Sequence, residues 1–313
     1  MANIGRRAAW LAASLLLVGA SPAVAFQAAG PACPAAGAAP RWIGNGLLRG
    51  GKGYADTPMG QVHYRLVRAG PGPVVLLLHQ TPWSMHEYAA IQACLATRGV
   101  SSLAVDTPGY GLSDPPPGHP GVADYADNLV PVLDALGLRQ VVVAGHHTGA
   151  AIAAAFAARH PERALGVVLH GVPLYNAAER AERLARPTPP LALAPDGTHL
   201  SDYYRYIRDY AGDDPGTMVT ANWSVIDRYL AGANDVAHDI VFRNDMTGDL
   251  RGIRAPGLIL SDGGDSLHAN DLRAAGLRPD FRYVQFSAGR AHAMMLDPAH
   301  WAEIVAGFVA ALP

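Results

Sequence analysis

The chain has 313 residues, half of them apolar and 16% charged, with a formal net charge of −2. That composition suits a folded globular protein with one sizeable α/β domain and an insertion. The near-neutral charge lacks the basic footprint of a nucleic-acid binder, and no interior run reaches the roughly 18 unbroken apolar residues of a membrane span.

In chain order, the N-terminus comes first. It reads MANIGRRAAWLAASLLLVGASPAVAFQ, with Arg6-Arg7, an apolar run and then Ala23-Val24-Ala25. A basic region, an apolar core and a small-residue site predict a secretory signal over 1–25, cut after Ala25. An uncut anchor is the competing reading, and the short apolar run argues against it. The arginine pair leaves twin-arginine export open beside the general route. The mature protein is therefore expected in the periplasm or outside the cell, with no membrane attachment after cleavage. Residues 26–50, rich in Ala, Gly and Pro, read as a flexible lead-in. Cys33 and Cys94 either pair in that oxidising setting or remain two separate thiols.

From residue 51 the pattern becomes regular. Short strands are expected at 54–57 and 61–68 around a Met-Gly turn, and a fully buried strand at 74–78. Further strands fall at 101–105, 141–144, 164–169, 257–260 and 281–286, with helices at 86–97, 122–136, 151–159 and 301–312. Strands alternating with helices predict an α/β fold, a mostly parallel central sheet flanked by helices. Residues 173–250 break the rhythm with polar, Arg-rich and Tyr-rich sequence, and read as a helical cap inserted between two core strands.

The stretch VVVAGHHTGAA, residues 141–151, has the layout of a nucleophile elbow, G-x-S-x-G, in which a serine occupies the tip of a strand-to-helix turn. Here Gly145-His146-His147-Thr148-Gly149 puts a histidine at the tip. Imidazole has a reference pKa near 6.5, so it is largely neutral at pH 7 and already basic and nucleophilic. It is also larger than a hydroxymethyl group, so the space around it must be roomier.

From about Gly53 to the end, the chain resembles the α/β-hydrolase superfamily of the capped kind. The resemblance rests on landmarks in the family's order. The strand at 74–78 is followed by His79-Gln80-Thr81-Pro82, similar to the family's His-Gly loop, and Asp106-Thr107-Pro108-Gly109-Tyr110-Gly111-Leu112-Ser113-Asp114 resembles its D-x-P-G-x-G-x-S turn. The elbow follows, then Asp265 after a strand and His292 after the last one. The resemblance implies a nucleophile, acid and histidine order of 147, 265 and 292, with Asp265 orienting His292. Asp262 is the rival acid. It implies backbone oxyanion donors at Gln80 and Thr148, where Gln80 stands in place of the usual glycine. His79, Trp83, His146 and His170 are pocket candidates, and Trp83 and His86 either face the pocket or begin a helix.

The expected reaction is hydrolysis of an ester, lactone or related acyl bond of a small, fairly apolar substrate, without a cofactor. His147 would attack the carbonyl or act as base on water. Haloalkane dehalogenases and epoxide hydrolases of this fold use an elbow carboxylate, which residue 147 is not. Competing readings are a pseudo-hydrolase that only binds a ligand and a cofactor-free lyase or C–C bond enzyme. A zinc site from His146, His147, His292 and His170 is a further class. No paired spacing on one element supports it and adjacent histidines tend to point apart, so no metal is expected. Tyr203, Tyr206 and Tyr210 fall on one helical face, which favours packing of the cap onto the core.

Overall fold

The apolar run Val74–Leu78 (β3) is buried at every position, and it explains the architecture around it. Val74, Leu76 and Leu78 join the core on one side of the sheet, and Val75 and Leu77 join the core on the other. The same division runs through β5 (Val141–His146), where Val141 and Val143 face one layer and Val142 and Ala144 the other. A strand apolar on both faces needs cover on both, so helices lie above and below. The computed structural model describes Cys33 and residues 51–186, 193–212, 215–231 and 237–313. The expected signal (1–25) and lead-in (26–50) fall outside the described residues, apart from Cys33.

The sheet also contains β1 (Lys52–Thr57), β2 (Gly60–Val67), β4 (Ser102–Val105), β6 (Ala164–His170), β7 (Gly257–Asp262) and β8 (Arg282–Ser287). Its order is β1-β2-β4-β3-β5-β6-β7-β8. The pairings of β2 with β1 and with β4 are antiparallel, and the others are parallel. The carboxyl ends of β3, β5, β6, β7 and β8 therefore open onto one edge, where loops can meet.

Around the sheet lie α1 (Ala89–Thr97), α2 (Val122–Asp127), α3 (Leu129–Ala135) and α4 (Thr148–Arg159). The helix expected over 122–136 is broken at Asn128, because Pro131 has no N–H for the Asp127 carbonyl. A single 3-10 turn, Met85–Tyr88, precedes α1, and α4 starts at the elbow rather than three residues later. Alanine dominates α4, which lets it sit close on the sheet.

Between β6 and β7 run α5 (Ala177–Ala185), α6 (Thr198–Ala211), α7 (Pro215–Ala231), α8 (Ala237–Arg243) and α9 (Met246–Gly252). They divide by what they touch. Met246 and Leu250 of α9 and Ile240 of α8 enter the main core, whereas Ile207 of α6 and Ala221 of α7 cluster with Trp83 above the sheet edge. Tyr203 packs against that cluster, but Tyr206 is 62% exposed, so the tyrosine stripe does not pack as a unit. The chain closes with α10 (His268–Leu277), α11 (Ala293–Leu296) and α12 (Pro298–Ala310). Cys33 and Cys94 form a disulfide that ties the lead-in to α1. Among the described residues no helix is long and apolar enough to cross a membrane.

Candidate active site

The elbow is built as its sequence suggests. His147 has φ 49° and ψ −112°, and His292 has φ 52°; among the described residues they alone, glycines aside, have positive φ. Such conformations cost about 1–3 kcal/mol each and persist only where surrounding structure enforces them. Glycine on either side makes the turn possible: a Cβ on Gly145 would lie 2.0 Å from the Gly149 carbonyl oxygen, and one on Gly149 2.0 Å from that of Leu78. The larger tip side chain also has its space. A Cβ on Gly171 (φ +64°) would lie 2.3 Å from His147 Cδ2, so the bare backbone after β6 is what admits the imidazole.

The pairing of acid and histidine differs from the expected one. Asp265 Oδ2 lies 2.9 Å from His147 Nε2, and Asp265 Oδ1 accepts the Leu267 N–H at 2.7 Å. Both carboxylate oxygens are thus committed, and the one expected to orient His292 holds His147. The physical reason is reach: an imidazole at the tip extends to the acid that a hydroxymethyl group would meet only through a second histidine. Asp262, the rival, accepts the Ala293 N–H at 2.8 Å and faces His170 Nε2 at 3.4 Å. His292 Nδ1 lies 3.3 Å from the Gln80 side-chain amide, and its ring is 5.5 Å from that of His147 between centroids.

Electrostatics follow from these partners. Burial works against a charged His147, but attraction to Asp265 and their hydrogen bond outweigh it and raise its pKa. Burial would lift the Asp265 carboxyl, yet His147 holds it well below the usual carboxylate range. Burial, together with the His147 charge, lowers His292 to about 4, so that ring is neutral at pH 7.

Sequence reasoning misses Glu87. It is buried in the turn that leads into α1, and burial pushes its carboxyl up to about 8. It forms a short contact with His146 Nδ1, accepts the Gln80 backbone N–H on Oε2 at 2.9 Å, and meets the Gln80 amide nitrogen at 3.3 Å. The Gln80 N–H expected as an oxyanion donor is therefore occupied by the Glu87 carboxyl group. The only signal in sequence is an acidic residue inside an apolar helical start. His146 also departs from expectation: its ring lies 4.3 Å from that of His147, so the adjacent histidines converge instead of pointing apart. Backbone strain at residue 147 turns the two side chains to the same side.

Other candidates take structural positions. His79 donates from Nδ1 to the Gln80 carbonyl at 2.6 Å and accepts the Thr107 N–H on Nε2 at 2.9 Å. Both ring nitrogens are engaged, so His79 fixes two loops and has none left for chemistry. Trp83 does border the site, its ring 5.0 Å from that of His292. Next to it Ser84 donates to the buried Asp227 of α7 at 2.8 Å, and His86 stacks on Trp223 at 3.9 Å, fastening the inserted helices to the loop after β3. His170 Nδ1 accepts the Trp301 indole N–H at 3.3 Å. Thr148, at the elbow, shares a 2.8 Å hydrogen bond between its hydroxyl and that of Thr81.

Residues 73–219 match a family model, that of the alpha/beta hydrolase fold. Over that stretch, a little under half of the chain, the protein resembles the α/β-hydrolase fold superfamily. Among solved structures, an esterase from a Rhodococcus species superimposes with a TM-score of 0.70 at 21% identity, covering 84% of this chain and 100% of that one. The enol-lactonase from Burkholderia xenovorans does so with a TM-score of 0.66 at 20% identity, covering 82% and 100%. These likenesses speak for the fold. In sequence, the chain is 38% identical over 104 residues to Epoxide hydrolase B of Mycobacterium tuberculosis, 33% of this chain and 29% of that protein. It is 31% identical over 131 residues to a fluoroacetate dehalogenase from a Burkholderia species, 40% of this chain and 43% of that protein. The matched region thus spans about three tenths to two fifths of those relatives.

Proposed function

We propose that this is an exported hydrolase that cleaves an ester, lactone or related acyl bond of a small, fairly apolar substrate. The observation that carries the reading is the 2.9 Å pair of His147 and Asp265 at the tip of the elbow. With Nε2–H directed to the carboxylate, His147 Nδ1 is the atom left to accept a proton. It takes one from water as the oxygen attacks the acyl carbon, Asp265 stabilises the imidazolium, and the proton passes to the leaving oxygen as its bond to carbon breaks. The developing oxyanion needs donors, and the Gln80 N–H is engaged by Glu87. His292, whose Nδ1 lies against the Gln80 amide nitrogen, presents Nε2–H instead, beside the Thr148 N–H. A neutral imidazole serves as such an electrophile, as its lowered pKa favours.

The names of similar proteins support hydrolysis in general: epoxide hydrolase, dehalogenase, esterase and enol-lactonase. The imidazole at residue 147 favours acyl chemistry over the first two, since the elbow offers no carboxylate to form an alkyl ester. The disulfide between Cys33 and Cys94 supports export, because such bonds persist in oxidising compartments. Trp83, itself packed against Ile207, supplies apolar wall beside His292, which suits a substrate with little charge.

The test is hydrolysis of a panel of small esters and lactones by chelator-treated mature protein. His147→Ala is expected to lower kcat/KM by about 10²–10⁴, the range of a general base, and His292→Ala by about 10²–10³, the range of one oxyanion donor. Wild type and both variants equally inert would sink the reading and point to ligand binding or C–C chemistry in the same pocket. The elbow geometry favours one second version, in which His147 attacks the acyl carbon itself. That version requires an acyl adduct on His147 in rapidly quenched protein, seen by mass spectrometry, whereas the water route requires none.

A further inference from the structure

We infer that the same buried pocket is a binding site for one zinc-class divalent cation, held by His146, His147, Asp265 and His292. One potential ligand atom from each of these residues lies within 4.8 Å of the other three. A tetrahedral zinc site, with bonds of about 2.0–2.2 Å, needs donors roughly 3.4 Å apart, so the side chains have only a short inward movement to make. Three imidazoles and one carboxylate are the donors that borderline cations of this kind prefer. They come from the end of β5, the elbow and the loops that follow β7 and β8, and so converge from three separate strands rather than from one loop.

Two further observations point to a ligand. First, His146 is 1% exposed and its Nε2 has no hydrogen-bond partner. Burying an unpaired ring nitrogen is costly, and a cation supplies what it lacks. Its Nδ1 meets the Glu87 carboxylate, the carboxylate–imidazole arrangement that orients a metal-bound histidine by fixing the lone pair on the opposite nitrogen. Second, the buried Asp262 and Asp265 make their ion pairs, among the described residues, with histidines alone. A divalent ion in the pocket would place positive charge beside both carboxylates.

Loading has a defined cost in hydrogens. The one shared by His147 Nε2 and Asp265 moves through solvent to His147 Nδ1, which keeps the ring neutral and leaves Nε2 and the carboxylate oxygen to take the metal. The Gln80 amide turns to present its oxygen to His292 Nδ1–H, which frees the His292 Nε2 lone pair. The inference does not rest on the hydrolytic reading, because binding is measured without substrate.

The experiment is calorimetric titration of chelator-treated mature protein with Zn²⁺, and the visible spectrum of the Co²⁺-loaded protein. One ion per chain and a tetrahedral Co²⁺ spectrum are expected. His146→Ala should weaken binding by at least ~100-fold, Glu87→Gln by ~10–100-fold, and the surface changes His160→Ala and His300→Ala not at all. If His146→Ala does not fold by circular dichroism, His292→Gln takes its place with the same expected loss. Wild-type affinity no tighter than that of the pocket variants, or binding removed by the surface changes, overturns the inference. A protein that hydrolyses esters yet binds no zinc would refute the metal site and leave the proposed reaction standing.

Discussion

Two buried polar clusters lie on the sheet's opening edge, and they differ in how completely they are satisfied. Around Asp106, Oδ1 accepts the Met85 N–H at 2.7 Å, and Oδ2 meets His63 Nδ1 at 2.8 Å and accepts the Leu112 N–H at 2.9 Å. Ser113 closes the ring, donating to the Asp106 carbonyl at 2.7 Å while accepting the His63 N–H at 2.8 Å. Neither Asp106 side-chain oxygen lacks a partner. Around the elbow, by contrast, His146 Nε2, His170 Nε2, Asp262 Oδ1 and Asp271 Oδ2 are buried without a hydrogen bond. A satisfied network fixes structure, whereas an unsatisfied one stores capacity for a ligand or a reaction. The turn at Asp106 is thus a structural fastening, and the altered elbow is where the unpaired buried groups gather.

The sharpest way to break this contrast is Asp106→Asn. It leaves several donors facing an amide that cannot accept from all of them, and a loss of about 3–5 kcal/mol in unfolding free energy is expected from denaturant titration. The pH dependence has a definite sign. Burial alone would raise the Asp106 carboxyl, but His63 and the two backbone N–H groups lower it below its ordinary value. A depressed carboxylate contributes stability in full above its unfolded pKa of about 3.9, and that contribution is lost as pH falls through the folded value. Wild-type stability should therefore drop more steeply than that of Asp106→Asn below about pH 4. Equal slopes would mean that the network does not hold the charge.

A smaller effect is expected at Gly171. Its Cβ would strike His147 Cδ2, so Gly171→Ala must push the ring off Asp265. Activity on the best ester should fall roughly 10–100-fold, about the cost of a slight misplacement of a catalytic group, with the fold intact by circular dichroism. Undiminished turnover would show that the position of the His147 ring is not what the reaction needs.

The sheet is legible in the sequence because runs such as Val74–Leu78 leave no alternative to burial on both faces. Which residues gather at the site is legible too, since a residue that ends a parallel strand must arrive at the common edge. The pairing among them is not. Asp265 reaches several rings, and the length of the imidazole at 147, not the chain order, decides that it bonds there. Glu87 escapes notice because one acidic residue at a helix start usually faces water, and nothing local announces its burial. His146 misleads for a related reason: alternation along a strand turns neighbours apart, but the turn at φ 49° ends that alternation at the next residue.

The smallest expected effect bears most directly on the contrast. If the elbow is held in strain for function, removing the cause should stabilise the protein while abolishing its activity. His147→Gly permits φ 49° at no steric cost and removes a ring crowded against His146 and Gly171. It also forfeits the Asp265 pair and leaves that carboxylate short of one partner. The two contributions nearly cancel, so a change in unfolding free energy within about 1 kcal/mol of zero is expected, beside a loss of turnover as large as that of His147→Ala. The same kind of deletion at Asp106 costs several times more. A His147→Gly variant destabilised as severely as Asp106→Asn would place the elbow histidine among the groups that hold the fold together, and the division between the two clusters would fail.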